Sequence, residues 1–182
     1  MRERPAPLIL VSTPPGGQPF GSHAAVAADG QRLLAAELST RLARLGAAVA
    51  PMPPASPSED APFHWGRWFV GAARTALADA AGGLDAIGHA SGAALSLLAD
   101  DALDDLLSPI PGEVVANNRF SADAFVVAGD LDSALAALEG CDNDNVAPRR
   151  LNDAGFAWRD LGTTPWARFD VDTTLDLALL RL

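Results

Sequence analysis

The chain has 182 residues, 13 basic and 23 acidic side chains, a net charge of −10, and no lysine, so every basic side chain apart from its 3 histidines is an arginine. At 49% hydrophobic and 20% charged, it has the composition of one globular domain, 1–182, large enough to bury a core. Acidity without a basic run excludes duplex nucleic acid as a natural partner, and a lone cysteine, Cys141, excludes an internal disulfide and a cysteine-rich zinc site.

In chain order, Leu8 to Thr13 is a continuous apolar run stopped by Pro14-Pro15-Gly16-Gly17, which suits a buried parallel strand. That run is too short for a signal sequence or a membrane span, so a soluble, cytoplasmic protein with no membrane partner is expected. Leu34, Leu38, Leu42 and Leu45 recur at helical spacing within 29–45, and Gly46 follows as a cap. Ala47 to Met52 reads as a second strand, and Pro53 to Pro62 as an exposed loop. Trp65 to Ala81 reads as a helix, Leu84 to His89 as a third strand and Ala99 to Leu107 as a short acidic helix. Glu113 to Asn117 and Ala124 to Ala128 read as strands around a polar turn, Asp130 to Leu138 and Asn145 to Asp153 as helices. Phe156 to Leu161 and Ala167 to Val171 read as short strands before a closing helix. Alternating strands and helices predict a mainly parallel sheet covered on both faces, with ligands at the carboxyl ends of the strands.

Four segments after those strands could carry chemistry. Thr13 to His23 holds Gly16, Gly17 and Gly21, whose backbone N–H groups could meet a phosphate, although the spacing matches neither the P-loop nor the dinucleotide fingerprint. Gly88 to Ser96 joins small residues, which let a ligand approach the backbone, to the polar groups of His89 and Ser91. The densest polar cluster is Asn117 to Asp123. Asn117, Asn118, Ser121 and Asp123 could read sugar or base groups, and Arg119 could clamp a phosphate or carboxylate, while a polar hairpin turn is the structural alternative. In Phe63 to Phe69, Trp65, Trp68 and Phe69 share one helical face, which suits core or subunit packing, with a homodimer the assembly to expect in the second case. Arg67 could face a site from the same segment.

The last fifteen residues, Arg168 to Leu182, carry the most specific signal. In an extended strand Asp170 and Asp172 would share a face and could hold a divalent cation. Thr173-Thr-Leu-Asp176 fits a capping box for the helix that follows.

Asp170-Val-Asp-Thr-Thr-Leu-Asp-Leu177 resembles the closing D-x-D-T-P-x-D-L segment of the small nucleotidyltransferases, such as the phospholactate and molybdenum cofactor guanylyltransferases. Weaker likenesses are Leu95 to Leu103, set against their P-L-L-(S/T)-x-x-x-L segment, and Asp29 to Leu34, with Arg32 near the family's lysine position. The resemblance implies a three-layer α/β/α sandwich around a mixed, mainly parallel sheet, of the nucleotide-diphospho-sugar transferase type. It further implies transfer of an NMP from an NTP to a small phosphorylated or acidic acceptor, with Mg2+ as cofactor and Asp170 and Asp172 as its ligands. The family's G-x-G-x-x-x-R-x-G loop is absent, and Gly88-His-Ala-Ser-Gly92 replaces its G-D-x-P aspartate. Arg119 and Asp123 are then the expected catalytic pair, and Gly16, Gly17, His89, Ser91, Asn117, Asn118, Ser121 and Arg67 the expected nucleotide contacts. The alternatives are a catalytically silent nucleotide or nucleotide-sugar binding module, and a structural subunit sharing only the fold.

Overall fold

β1 (Leu8–Ser12), β2 (Ala48–Pro51), β3 (Ala86–Ser91), β4 (Glu113–Ala116), β5 (Ala124–Ala128) and β6 (Ala157–Asp160) pair in the order β2-β1-β3-β5-β4-β6. A computed structural model describes residues 6–13, 22–55, 63–80, 83–119, 122–161, 165–169, 171 and 173–180. β1 runs parallel to β2 and β3, β4 runs parallel to β6, and β5 alone is antiparallel to its neighbours β3 and β4. The central strands are largely buried, with β5 apolar and buried at every position and β3 buried up to its last residue, because both faces are covered.

The two faces have separate cores. On one, Phe69, Phe125, Leu138 and Leu151 join the sheet to α2 (Trp65–Asp79), α4 (Leu131–Glu139) and α5 (Ala147–Asp153). On the other, Ile9, Leu38, Leu42, Leu103 and Val126 join it to α1 (His23–Arg44) and α3 (Asp100–Leu106). The result is a three-layer α/β/α sandwich around a mixed, mainly parallel sheet. Among the described residues no helix is long and apolar enough to cross a membrane.

Local chemistry explains most boundaries. Ser22 caps α1 by accepting from the Ala25 N–H at 3.1 Å, so the helix begins six residues earlier than the leucine spacing indicates. Gly46, at φ +93°, stops it in a left-handed conformation that other residues rarely adopt. Arg41 and Arg44, in its last turn, both pair with Asp100 and tie α1 to the start of α3. Gly66 lets α2 meet the end of α4 at backbone distance, since a Cβ there would stand 2.9 Å from the Cys141 nitrogen and closer still to two carbonyl oxygens.

The C-terminal region differs from the expected strand over 167–171. Pro165–Arg168 forms a 3-10 turn, and Phe169 and Val171 belong to no strand. Ala167 and Val171 are both fully buried, so the apolar residues act as separate plugs rather than as one face of an extended run. Beyond Val171, α6 (Thr174–Leu179) packs on α1, where Leu177 lies over Gly30. α6 opens with the expected capping box: Asp176 accepts from the Thr173 N–H at 2.7 Å, and Thr173 Oγ1 from the Asp176 N–H at 3.3 Å.

Candidate functional site

β1, β2 and β3 point their carboxyl ends the same way, and the chain crosses from one side of β1 to the other between β2 and β3. Such a switch point leaves a crevice. Two adjoining recesses occupy it, sharing Ser12 and Thr13 at the end of β1. The larger is a cleft of about 570 Å³ with an aromatic wall of Phe63, Trp65 and Trp68, a floor from Met52 to Ala55, and Arg32 and Asp144 among its polar groups. The smaller, about 170 Å³, lies between Thr13, Gln31 and the turn Ser91-Gly92-Ala93.

The aromatic wall is set by the helix start. His64 caps α2 through its side chain, and the next turn places Trp65 and Phe69 in a stacked pair, centroids 5.0 Å apart and 7° from parallel. Trp68 stays half-buried, donates its indole N–H to the Pro53 carbonyl at 3.0 Å, and meets Phe63 edge-on at 5.4 Å. Trp65 therefore serves both the core and the cleft wall, and the less buried Trp68 lines the cleft beside it. Arg32 is paired with Asp29 on the exposed face of α1. Asp144 stands in a 3-10 turn with its carboxyl held above the usual carboxylate range by burial.

Behind the recesses lies His89, 1% exposed and boxed by Trp65, Phe69 and Phe125 at centroid distances of 5.4, 6.0 and 6.3 Å. Its Nε2 is 3.1 Å from Ser12 Oγ, while Nδ1 has no hydrogen-bond partner among the described residues. Burial lowers its pKa from 6.5 to about 4. Charging this ring costs about 3 kcal/mol more than charging a free histidine, which makes it a poor proton acceptor in a transition state. Cys141 is equally inert, its thiol pushed up to about 11 mainly by burial.

The polar cluster after β4 has a structural core. Asn117 is 1% exposed; its Oδ1 accepts from the Asp123 and Ala124 N–H groups at 3.1 and 3.0 Å. Its Nδ2 donates to the Ala167 carbonyl at 3.0 Å and to Asp123 Oδ2 at 3.3 Å. Those four bonds use both donors and both acceptor directions of the amide. They close the β4–β5 connection and hold the 165–168 turn against it. The Asp123 carbonyl in turn accepts from the Ser91 N–H at 2.7 Å, so this cluster and the β3 turn share one edge of the sheet. Arg119 is exposed and lies over the Trp158 ring at 6.0 Å, away toward β6. Asn118 is half-buried, and Arg67 is exposed on α2 and is not among the residues lining the cleft.

The structure thus gathers His89 and Ser91 at the recesses, sets Asn117 and Asp123 beside them, and leaves Arg119 and Arg67 apart. Gly16, Gly17, Ser121, Asp170 and Asp172 lie outside the described residues. Between the last two, Val171 is buried and its carbonyl accepts from Gln31 Nε2 at 2.6 Å. Gln31 lines the smaller recess, so the closing segment is anchored at the wall of the strand-end crevice. Ser12, Gln31, Trp68 and Asp144 were not marked as candidates by the sequence; the strand-end rule, applied to the last residue of β1, is the signal that finds Ser12.

Among the described residues no three His, Cys, Asp or Glu side chains come together as a metal site. A scan against protein-family models finds no match, and no curated protein matches the chain at a significant level.

Proposed function

We propose that the paired recesses at the ends of β2, β1 and β3 bind a nucleotide, and that the protein is a divergent nucleotidyltransferase acting on a small phosphorylated or acidic acceptor. The observation that carries this reading is the Gln31–Val171 hydrogen bond, which ties Val171, the residue between Asp170 and Asp172 in the sequence, to a side chain that lines the crevice. The lining supports it as well. Trp65, Trp68 and Phe63 suit a planar heterocycle, while Ser12, Thr13 and Arg32 offer hydroxyl and guanidinium donors to phosphate oxygens. The reaction would be an in-line displacement: an acceptor oxygen bonds to the α-phosphorus, the bond to the bridging oxygen breaks, and pyrophosphate leaves. Such chemistry asks the protein mainly for positioning and charge neutralisation.

A binding module without chemistry is the second reading, favoured by Arg32 being the one guanidinium along the cleft among the described residues, and by its engagement with Asp29. Thermal melting with each NTP and NDP-sugar, with and without magnesium, separates the outcomes. A ligand at a hundred times its Kd adds about 2.7 kcal/mol, or a rise of roughly 5–10 °C for a chain of this size. Phe63→Ala should shrink that rise. Pyrophosphate release lost in Asp170→Asn and Asp172→Asn supports the transferase; a melting shift without release supports the silent module. A flat melting temperature with every nucleotide sinks both.

A further inference from the structure

We infer that His89 fixes the hydroxyl of Ser12 as an obligatory hydrogen-bond donor, making the end of β1 a seat for an anionic oxygen of the ligand. The inference rests on the nucleotide reading for the ligand's identity, and on geometry alone for the orientation of the pair.

His89 stays neutral, so one ring nitrogen carries a proton and the other a lone pair. If the proton were on Nδ1, it would be a buried N–H with no hydrogen-bond acceptor among the described residues, on a ring boxed by Trp65, Phe69 and Phe125. Orphaned buried N–H groups are rarer in folded proteins than under-satisfied acceptors. With the proton on Nε2, the ring instead donates to Ser12 Oγ at 3.1 Å and leaves only a lone pair unmatched. The serine oxygen is then the acceptor in that bond, and its own proton is directed elsewhere.

The backbone around Ser12 is already committed. Its carbonyl accepts from the Gly92 N–H at 2.9 Å, and Gly92 is held there because a Cβ would crowd that same carbonyl oxygen at 2.7 Å. Ser12 lines both recesses, so the open direction for its proton is the crevice. A fixed donor accepts carboxylate, phosphate or carbonyl oxygens and discriminates against ammonium and other pure donors. His89 is thereby a positioning residue: it touches no ligand, but it decides which polarity the β1 end presents.

Two measurements on the full chain test this. Long-range proton–nitrogen NMR on histidine-labelled protein, with His89 assigned by its loss in His89→Phe, should show the proton on Nε2, unchanged from pH 5.5 to 8, roughly one unit and more above the shifted pKa. A proton on Nδ1, or a charged ring near neutral pH, overturns the orientation. Inorganic pyrophosphate, titrated by calorimetry, should bind Ser12→Ala at least about tenfold more weakly than wild type, as expected for loss of a hydrogen bond to a charged group. His89→Phe should give a smaller loss, because the hydroxyl remains but is free to turn. Equal affinity of Ser12→Ala and wild type, or no pyrophosphate binding by wild type, overturns the anion seat. Pyrophosphate binding with no response to any nucleotide would instead sink the nucleotide reading and leave this one standing.

Discussion

Replacing Asn117 with alanine removes one amide but strands several groups that it serves. The Ala124 N–H and the Ala167 carbonyl are bonded to it in buried surroundings, and the Asp123 N–H and carboxylate in half-buried ones. Leaving a buried backbone group unsatisfied costs about 1–3 kcal/mol. Counting the two buried groups at the middle of that range, and letting water reach the other two, Asn117→Ala should destabilise the fold by about 4 kcal/mol. For a chain of this size that lowers Tm by roughly 8–16 °C. Urea titration followed by tryptophan fluorescence measures it directly, with an unchanged slope confirming that the denatured state is not the cause. Asn117→Asp keeps an oxygen acceptor but turns a buried carboxylate toward the Asp123 carboxylate and the Ala167 carbonyl, so it should destabilise the fold at least as much as alanine does. The two readings of this residue therefore diverge. A ligand contact predicts a lost nucleotide response on a nearly intact fold, whereas the observed bonds predict a damaged fold. A loss below about 1 kcal/mol, less than one unsatisfied group should cost, would refute the reasoning.

Two further outcomes follow from packing and burial. His89 takes up no proton in the folded state until the pH falls to about 4, whereas in the unfolded chain it does so near 6.5. The unfolded state therefore binds more protons between those values, so His89 costs nothing above pH 6.5 and an increasing amount below it, to a limit of about 3 kcal/mol near pH 4. His89→Phe should flatten that part of the stability–pH curve, and an identical curve in the variant would count against a neutral buried ring. Gly66→Ala drives a methyl into the backbone at the end of α4, and a cost of about 1–3 kcal/mol in thermal melting is expected for such overpacking; a neutral substitution would show that the two helices can separate freely.

Features that depend on a few neighbouring residues were legible in the chain, and features that depend on its path through space were not. The Thr173–Asp176 capping box and the left-handed Gly46 sit where local chemistry requires them. The buried runs that became β1, β4 and β5 also announced themselves, because strands covered on both faces need apolar residues at every position. The alternation in 167–171 misled because period two also arises when a turning chain drops Ala167 and Val171 into separate holes. At the candidate site, the strand-end rule singled out the loops after β1, β3 and β4, and the Ser91–Asp123 hydrogen bond joins two of them. Asn117 and Arg119 look alike as polar residues in a turn. Only the fold shows one spent on backbone groups and the other laid over Trp158. Trp65 and Trp68, three apart, gave no hint that both would wall an opening and that the first would also back onto a histidine.

The anchoring of Val171 by Gln31 has a consequence for biosynthesis. The partners are 140 residues apart in the chain, so a ribosome working at roughly 5–20 residues per second makes the second about 7–30 s after the first. Through that interval Gly30 has no Leu177 over it, and Gln31, which lines the smaller recess, lacks the carbonyl that fixes its side chain. The described residues that line both recesses are all made by residue 144, so the orientation of Gln31 is among the last features of the recess to be set. A nascent chain stalled before residue 171 then has the lining of the crevice while one polar group in it is still free to turn.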